Sequence, residues 1–153
     1  MNELTTPGTR IASMSEPSID LARDLERELM ALPQEGVATD HLIHAGIYAR
    51  TIKIPANMVC TGALIKIATL LIISGHVTVN TDDGAIELIG YRLVPASANR
   101  KQAFITHSDT WLTMIFKTQA QVVEQAEDEF TDEPHLLLTR RGLGKQTIVI
   151  TGE

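Results

Sequence analysis

Few residues of this chain could do chemistry, and they are scattered along it. Four of the five histidines come first: His41, His44, His76 and His107. Imidazole nitrogens hold divalent first-row metals when lone pairs from several side chains converge on one point. His41 and His44 stand three apart, just before a strand pattern rather than on a helix face. His76 follows a Ser-Gly pair, and His107 lies in a turn-like stretch. That distribution reads as surface or capping residues rather than one shared metal site. His107, Ser108 and Asp109 supply the side-chain types of a nucleophilic triad. Adjacent residues cannot hydrogen-bond in series with the required orientation, so the trio reads as a turn.

Three further groups carry latent reactivity. Lys66 sits in an apolar run, where desolvation would depress its pKa and make it a base or Schiff-base former. Its neighbours Ile65 and Ile67 claim the inward face of a strand, so Lys66 is expected to point outward. Cys60 is the only cysteine and excludes an intrachain disulfide; beside Met58 and Val59 it reads as a small buried hydrophobe. Gly142-Leu-Gly-Lys-Gln-Thr147 has the look of a phosphate loop. Gln146 stands where a metal-binding Ser or Thr is needed, and no strand-loop-helix surrounds it.

These residues depend on a strand-rich scaffold. Residues 1–16 lack a sustained period and predict a flexible arm. Pro17 and Ser18 open a helix, with Ser18 as cap and Ile19, Ala22, Leu25, Leu29 and Leu32 at helical spacing; Pro33 and Gly36 end it. After His41 the period drops to two. Short strands are expected at 47–54, 58–67, 70–73, 76–80, 85–89, 91–94, 101–106 and 110–117, with turns at Ser74-Gly75 and Asp82-Asp83-Gly84. An acidic helix over 121–130 and a β-prone end over 147–150 complete the chain. The organisation is therefore an arm (1–16), a helix and linker (17–40), a barrel (41–119) and a C-terminal extension (120–153).

Composition narrows the function classes. The 153 residues give one domain, and 44% hydrophobic with 21% charged is ordinary for a globular protein. A net charge of −6 disfavours nucleic-acid and anionic-membrane partners, and 4% aromatics disfavours a stacking surface. The N-terminus lacks the basic and apolar regions of a signal peptide, and no run is long enough to span a bilayer.

The span His44-Ala-Gly-Ile-Tyr-Ala-Arg50, Ile54-Pro-Ala, Thr61-Gly62, Ile73-Ser-Gly75, Asp83-Gly84, Val94-Pro-Ala96, Arg100-Lys101 and Asp109-Thr-Trp111 resembles a cupin-like family frequent in tailed-phage and prophage genomes. The resemblance covers about half the chain. It implies an all-β fold: a single cupin-like jelly-roll β-barrel, with an N-terminal α-helix and a C-terminal helix/strand extension. It also implies metal-ligand positions, which here fall on Ile65, Thr69, Asn99 or Arg100, and Phe116. Ile65 and Phe116 offer no lone pairs. With Leu112 and Met114 they predict a filled, dry interior.

The expected protein is a metal-free, non-catalytic phage or prophage component without cofactor, structural or binding in role, located in the host cytoplasm or the virion. It is expected to form a homo-oligomer and to meet other phage or host proteins. Lys66, Tyr91, Arg92 and Arg100 are the candidate pocket or assembly residues. One alternative is a metal-independent isomerase or epimerase of sugar phosphates or nucleotide sugars, which needs an open cavity with two convergent ionisable groups. Another is a regulator that binds a host protein.

Overall fold

Alternation of apolar and polar residues along most of the chain produces one curled sheet of eight strands. The computed structural model describes residues 10–34 and 36–153. Helix α1 (Glu16–Met30) precedes β1 (Ala38–His44), β2 (Ile47–Ile54), β3 (Val59–Thr61), β4 (Thr69–Thr81), β5 (Gly84–Ala96), β6 (Ala103–Thr106) and β7 (Thr110–Lys117). Helix α2 (Val123–Phe130), a 3-10 turn at Pro134–Leu136 and β8 (Gln146–Ile150) follow.

The sheet runs β3-β6-β4-β7-β2-β1-β8, with β5 paired along the whole of β4. All pairings are antiparallel except β1–β8, which is parallel. Strand β4 closes the curl. Leu70–Ser74 pair with β7, and Val77–Val79 pair with β6, so one strand serves both halves.

The corner between those halves is Ser74-Gly75, which the sequence reads as a turn between two strands. Gly75 has φ +146°, and a Cβ there would lie 2.5 Å from Thr110 Oγ1 and 2.7 Å from Asp109 O. Its missing side chain admits a neighbouring backbone rather than reversing the chain. Gly90 likewise interrupts the pattern without ending β5, which merges the two strands expected at 85–89 and 91–94. Asp82-Asp83-Gly84 does form the hairpin expected of it.

Other boundaries shift for identifiable reasons. Ser15 caps α1 in place of Ser18: its hydroxyl accepts from the Ser18 N–H, and its own N–H donates to Asp82. Of the expected arm, residues 1–9 lie outside the described residues. Residues 10–15 pack on the barrel, where Ile11 is 1% exposed, bridges to Ala96 and exchanges backbone hydrogen bonds with Pro95 and Ser97. Strand β1 (Ala38–His44) begins inside the expected linker, at Ala38, rather than after its end at Asp40. The long strand expected at 58–67 shrinks to Val59–Thr61 followed by an isolated bridge from Ile65 to Arg100.

The inward faces supply the core: Tyr48, Leu71, Ile73, Val77, Val79, Leu88, Phe104, Leu112, Met114 and Phe116. Tyr48, Phe116 and Phe130 pack their rings at centroid distances of 5.4 to 6.5 Å, and Phe130 reaches the edge of a cavity. Among the described residues no helix is long and apolar enough to cross a membrane.

Candidate functional site

The barrel is open on the side of α1. A cavity of about 410 Å³ lies between the sheet halves, roofed by the C-terminal part of α1 and by Leu136–Leu138. This overturns the expectation of a filled interior. Leu112, Met114 and Ile65 line the cavity instead of filling it. The added roof from α1 and the C-terminal segment widens the enclosed space beyond what the strands alone would hold. Such a volume suits a small organic ligand.

The wall is mostly apolar, with polar groups at a few points. Its ionisable side chains are Glu26, Arg50, Cys60, Arg100 and Arg141. Arg100 is the most unusual of them. It is 1% exposed, donates from Nη1 to Ser97 O at 2.6 Å and to Ile67 O at 3.3 Å, and from Nη2 to Thr69 Oγ1 at 2.7 Å. No carboxylate among the described residues pairs with it, and burial pulls its pKa down to about 10. Its Nε has no hydrogen-bond partner, and neither has Nε2 of Gln102, a neighbour on the same wall. Two buried donors on this wall are thus without acceptors, and one of them belongs to a cation with no counterion among the described residues.

Two of the remaining charges near the cavity, Arg50 and Glu26, are paired, while the exposed Arg141 has no side-chain partner among the described residues. Arg50 Nη1 donates to Glu127 Oε2 at 2.8 Å, and Glu127 also accepts from Arg140 Nε and Thr139 Oγ1. Burial would raise the Glu127 carboxyl, but these three donors outweigh it and hold the pKa below its usual range. Glu26 is engaged by Lys101 Nζ at 2.9 Å, and the fully buried Lys101 also donates to Glu133. Glu133 further binds Arg23, so α1 is tied to the barrel by charge as well as by Ile19 and Ala22. Burial drives the Cys60 thiol up to about 11, which removes it as a nucleophile.

The four candidate residues separate. Arg100 belongs to the cavity. Lys66 points away from it, paired with Asp132 at 2.6 Å. Tyr91 and Arg92 lie exposed on β5 on the barrel exterior, with Arg92 Nε bonded to Ile89 O. Of the histidines, His41 is buried rather than superficial, because it alternates inward with Thr39 and Ile43; it bonds Tyr48 at 2.7 Å and Gln146 at 2.8 Å. Burial and nearby Arg50 lower its pKa. His107 bonds Thr78, while Asp109 accepts from the Ala56 N–H, so the three adjacent residues form no relay.

A cupin-type interior metal does not fit these walls. No histidine or aspartate lines the cavity, Phe116 and Thr69 lie off it, and Arg100 would set a cation against the ion. Gln102 was not singled out in the sequence. Nothing local to it distinguishes a glutamine on a cavity wall from one at the surface.

No family model and no curated protein matches this chain. Solved structures do resemble it. A cupin superfamily protein of Desulfitobacterium hafniense shares 15% identity over 57% of this chain and 84% of its own, with a TM-score of 0.46. The cupin domain of an XRE family transcriptional regulator from Enterobacter cloacae shares 12% over 56% of this chain and 100% of its own, at 0.45. An oxalate oxidase in complex with the substrate analogue glycolate shares 10% over 57% and 54%, at 0.41. The curled eight-stranded sheet with its N-terminal helix is consistent with a cupin-like β-barrel.

Proposed function

We propose that this chain is a non-catalytic cupin-fold binding protein whose barrel takes up a small, largely apolar organic anion, a medium-chain carboxylate being the class its walls suit. One observation carries the reading: Arg100 is buried without a counterion beside an apolar cavity, with its Nε and Gln102 Nε2 unpaired. A carboxylate supplies the counter-charge that Arg100 lacks, and its chain covers apolar wall.

The interior has no place for a metal in this reading. The isomerase alternative needs an acid and a base on the cavity wall. The only carboxylate there, Glu26, is engaged by Lys101, and the other ionisable groups are three arginines and a thiol of raised pKa. That composition favours binding over proton transfer. The regulator alternative draws on a different observation, the exposed row Ile89, Tyr91 and Leu93 on β5.

A setting in a phage or prophage, as an oligomeric accessory or virion-associated protein in the host cytoplasm or the virion, is supported by the motif resemblance alone. Adjacent capsid or tail genes would bear it out, and a neighbourhood of metabolic genes would count against it.

Isothermal titration with decanoate and with decanol tests the binding reading. Saturable decanoate binding, at least tenfold tighter than the alcohol and unaffected by chelator, is expected. Equal binding of the two, or binding of neither, overturns it.

A further inference from the structure

A second cluster lies on the outside of the barrel, and none of the chemistry above uses it. His76 stands just past the Gly75 corner on the outward side of β4, Glu87 reaches it from β5, and His107 follows β6. One ligand-capable atom from each lies within 4.8 Å of the other two. The two imidazoles face each other with centroids 4.5 Å apart, and His76 Nε2 bonds Glu87 Oε1.

Three adjacent strands hold the arrangement. Thr78 stands opposite Glu87 on β5, and Val77 opposite Thr106 on β6, which places His107 beside β4. The His107 backbone N–H donates to His76 O at 2.9 Å, and its Nε2 bonds Thr78 Oγ1 at 2.7 Å. A metal-binding histidine commonly has its other ring nitrogen held in this manner by an outer partner.

We propose that His76, Glu87 and His107 form a surface site for a divalent first-row metal, with Zn²⁺ the ion best matched to two imidazoles, one carboxylate and a water. Metal–ligand lengths of about 2.0–2.2 Å put tetrahedral donors roughly 3.4 Å apart. The side chains of His76 and Glu87 are 32% and 55% exposed, so they are free to close that difference and an ion has a path in. The bound ion would clip the β4–β5 hairpin to the β6–β7 connection and stabilise the fold by mass action. None of the three residues lines the barrel cavity, so the site is independent of the anion proposal.

Titration of Zn²⁺ into tag-free, chelator-treated full-length protein decides it, together with the visible spectrum of the Co²⁺ form. Expected are one Zn²⁺ per chain and Co²⁺ bands of four-coordinate intensity. His76→Ala and His107→Ala should each weaken Zn²⁺ binding by about tenfold or more. His44→Ala, an exposed histidine elsewhere, should change it by less than about twofold. Circular dichroism checks that each variant folds, and Glu87→Gln, at an exposed position, replaces any that does not, under the same tenfold criterion. No saturable binding by the wild type, a smaller loss in a folded cluster variant, or an equal loss in His44→Ala overturns the site.

Discussion

Arg100 Nη2 donates to the Thr69 hydroxyl at 2.7 Å, joining two positions that the motif resemblance associates with metal ligands. The pair replaces lone-pair donors by a cation and the hydroxyl that partly satisfies it. A metal is disfavoured at such a place, and an anion is favoured.

Truncating Arg100 removes the donor for Thr69 Oγ1, Ser97 O and Ile67 O together. Arg100→Ala is expected to destabilise the fold by about 2–4 kcal/mol. Arg100→Lys should restore only part, since an ammonium cannot copy the planar fork. Urea unfolding of the three proteins measures this. Wild-type stability in the alanine variant would show that these bonds contribute nothing net.

Acid should unfold the protein in two stages. His41 has a lowered pKa in the fold, so the unfolded chain protonates first and stability declines as pH falls below about 6.5. Glu127 and Glu133 also have lowered values, but as carboxyls. Their contribution is complete above the ordinary carboxyl value of 4.5 and is lost as pH falls through the lower folded values. Glu127→Gln should lose about 3–5 kcal/mol at neutral pH and flatten the second stage. Denaturation midpoints between pH 8 and 3 test both parts; an unchanged second stage in the variant would assign the acid sensitivity elsewhere.

Gly75→Ala meets two obstacles, a φ of +146° and backbone atoms of Asp109 and Thr110 within 2.8 Å of the new Cβ. A loss of about 2–4 kcal/mol is expected. Gly90→Ala has the positive φ, +82°, with nothing within 4 Å, and should cost about 1 kcal/mol. Similar losses in the two variants would show that backbone conformation, not the close approach, governs the corner.

Strand β8 forms one end of the sheet path, with Ile148, Val149 and Ile150 about half exposed. Unpaired edges with apolar side chains are normally covered. Light scattering at micromolar concentration is expected to give a homo-oligomer, and deletion of residues 146–153 should dissociate it. A monomeric full-length chain would remove self-assembly from consideration. An oligomer that survives the deletion would move the contact to another surface, such as the β5 row.

Local pattern made much of the scaffold legible. The alternation over Thr110–Lys117 marked β7 from end to end, Asp-Asp-Gly marked the β4–β5 hairpin, and the β-prone residues 147–150 marked β8. Helical spacing found α1, although not its cap, because Ser15 and Ser18 are equally suited to the role. The Asp82 carboxylate that receives the Ser15 N–H comes from 67 residues away. Gly75 misled for a related reason. A glycine that reverses a chain and a glycine that admits another backbone have the same local surroundings.

By itself, then, the order of strands, turns and helices determined a barrel and put Arg100 among four candidate pocket or assembly residues. Periodicity and turn chemistry are properties of neighbouring residues, so they survive in one dimension. Only the tertiary structure decided that the barrel is open under α1 and Leu136–Leu138, that Gln102 stands on the same wall as Arg100, and that His76, Glu87 and His107 converge outside. Those relationships depend on the register of β4 with β5 and β6, and on how a helix and a C-terminal segment roof the sheet. Contacts between residues far apart in the chain leave no periodic trace in it.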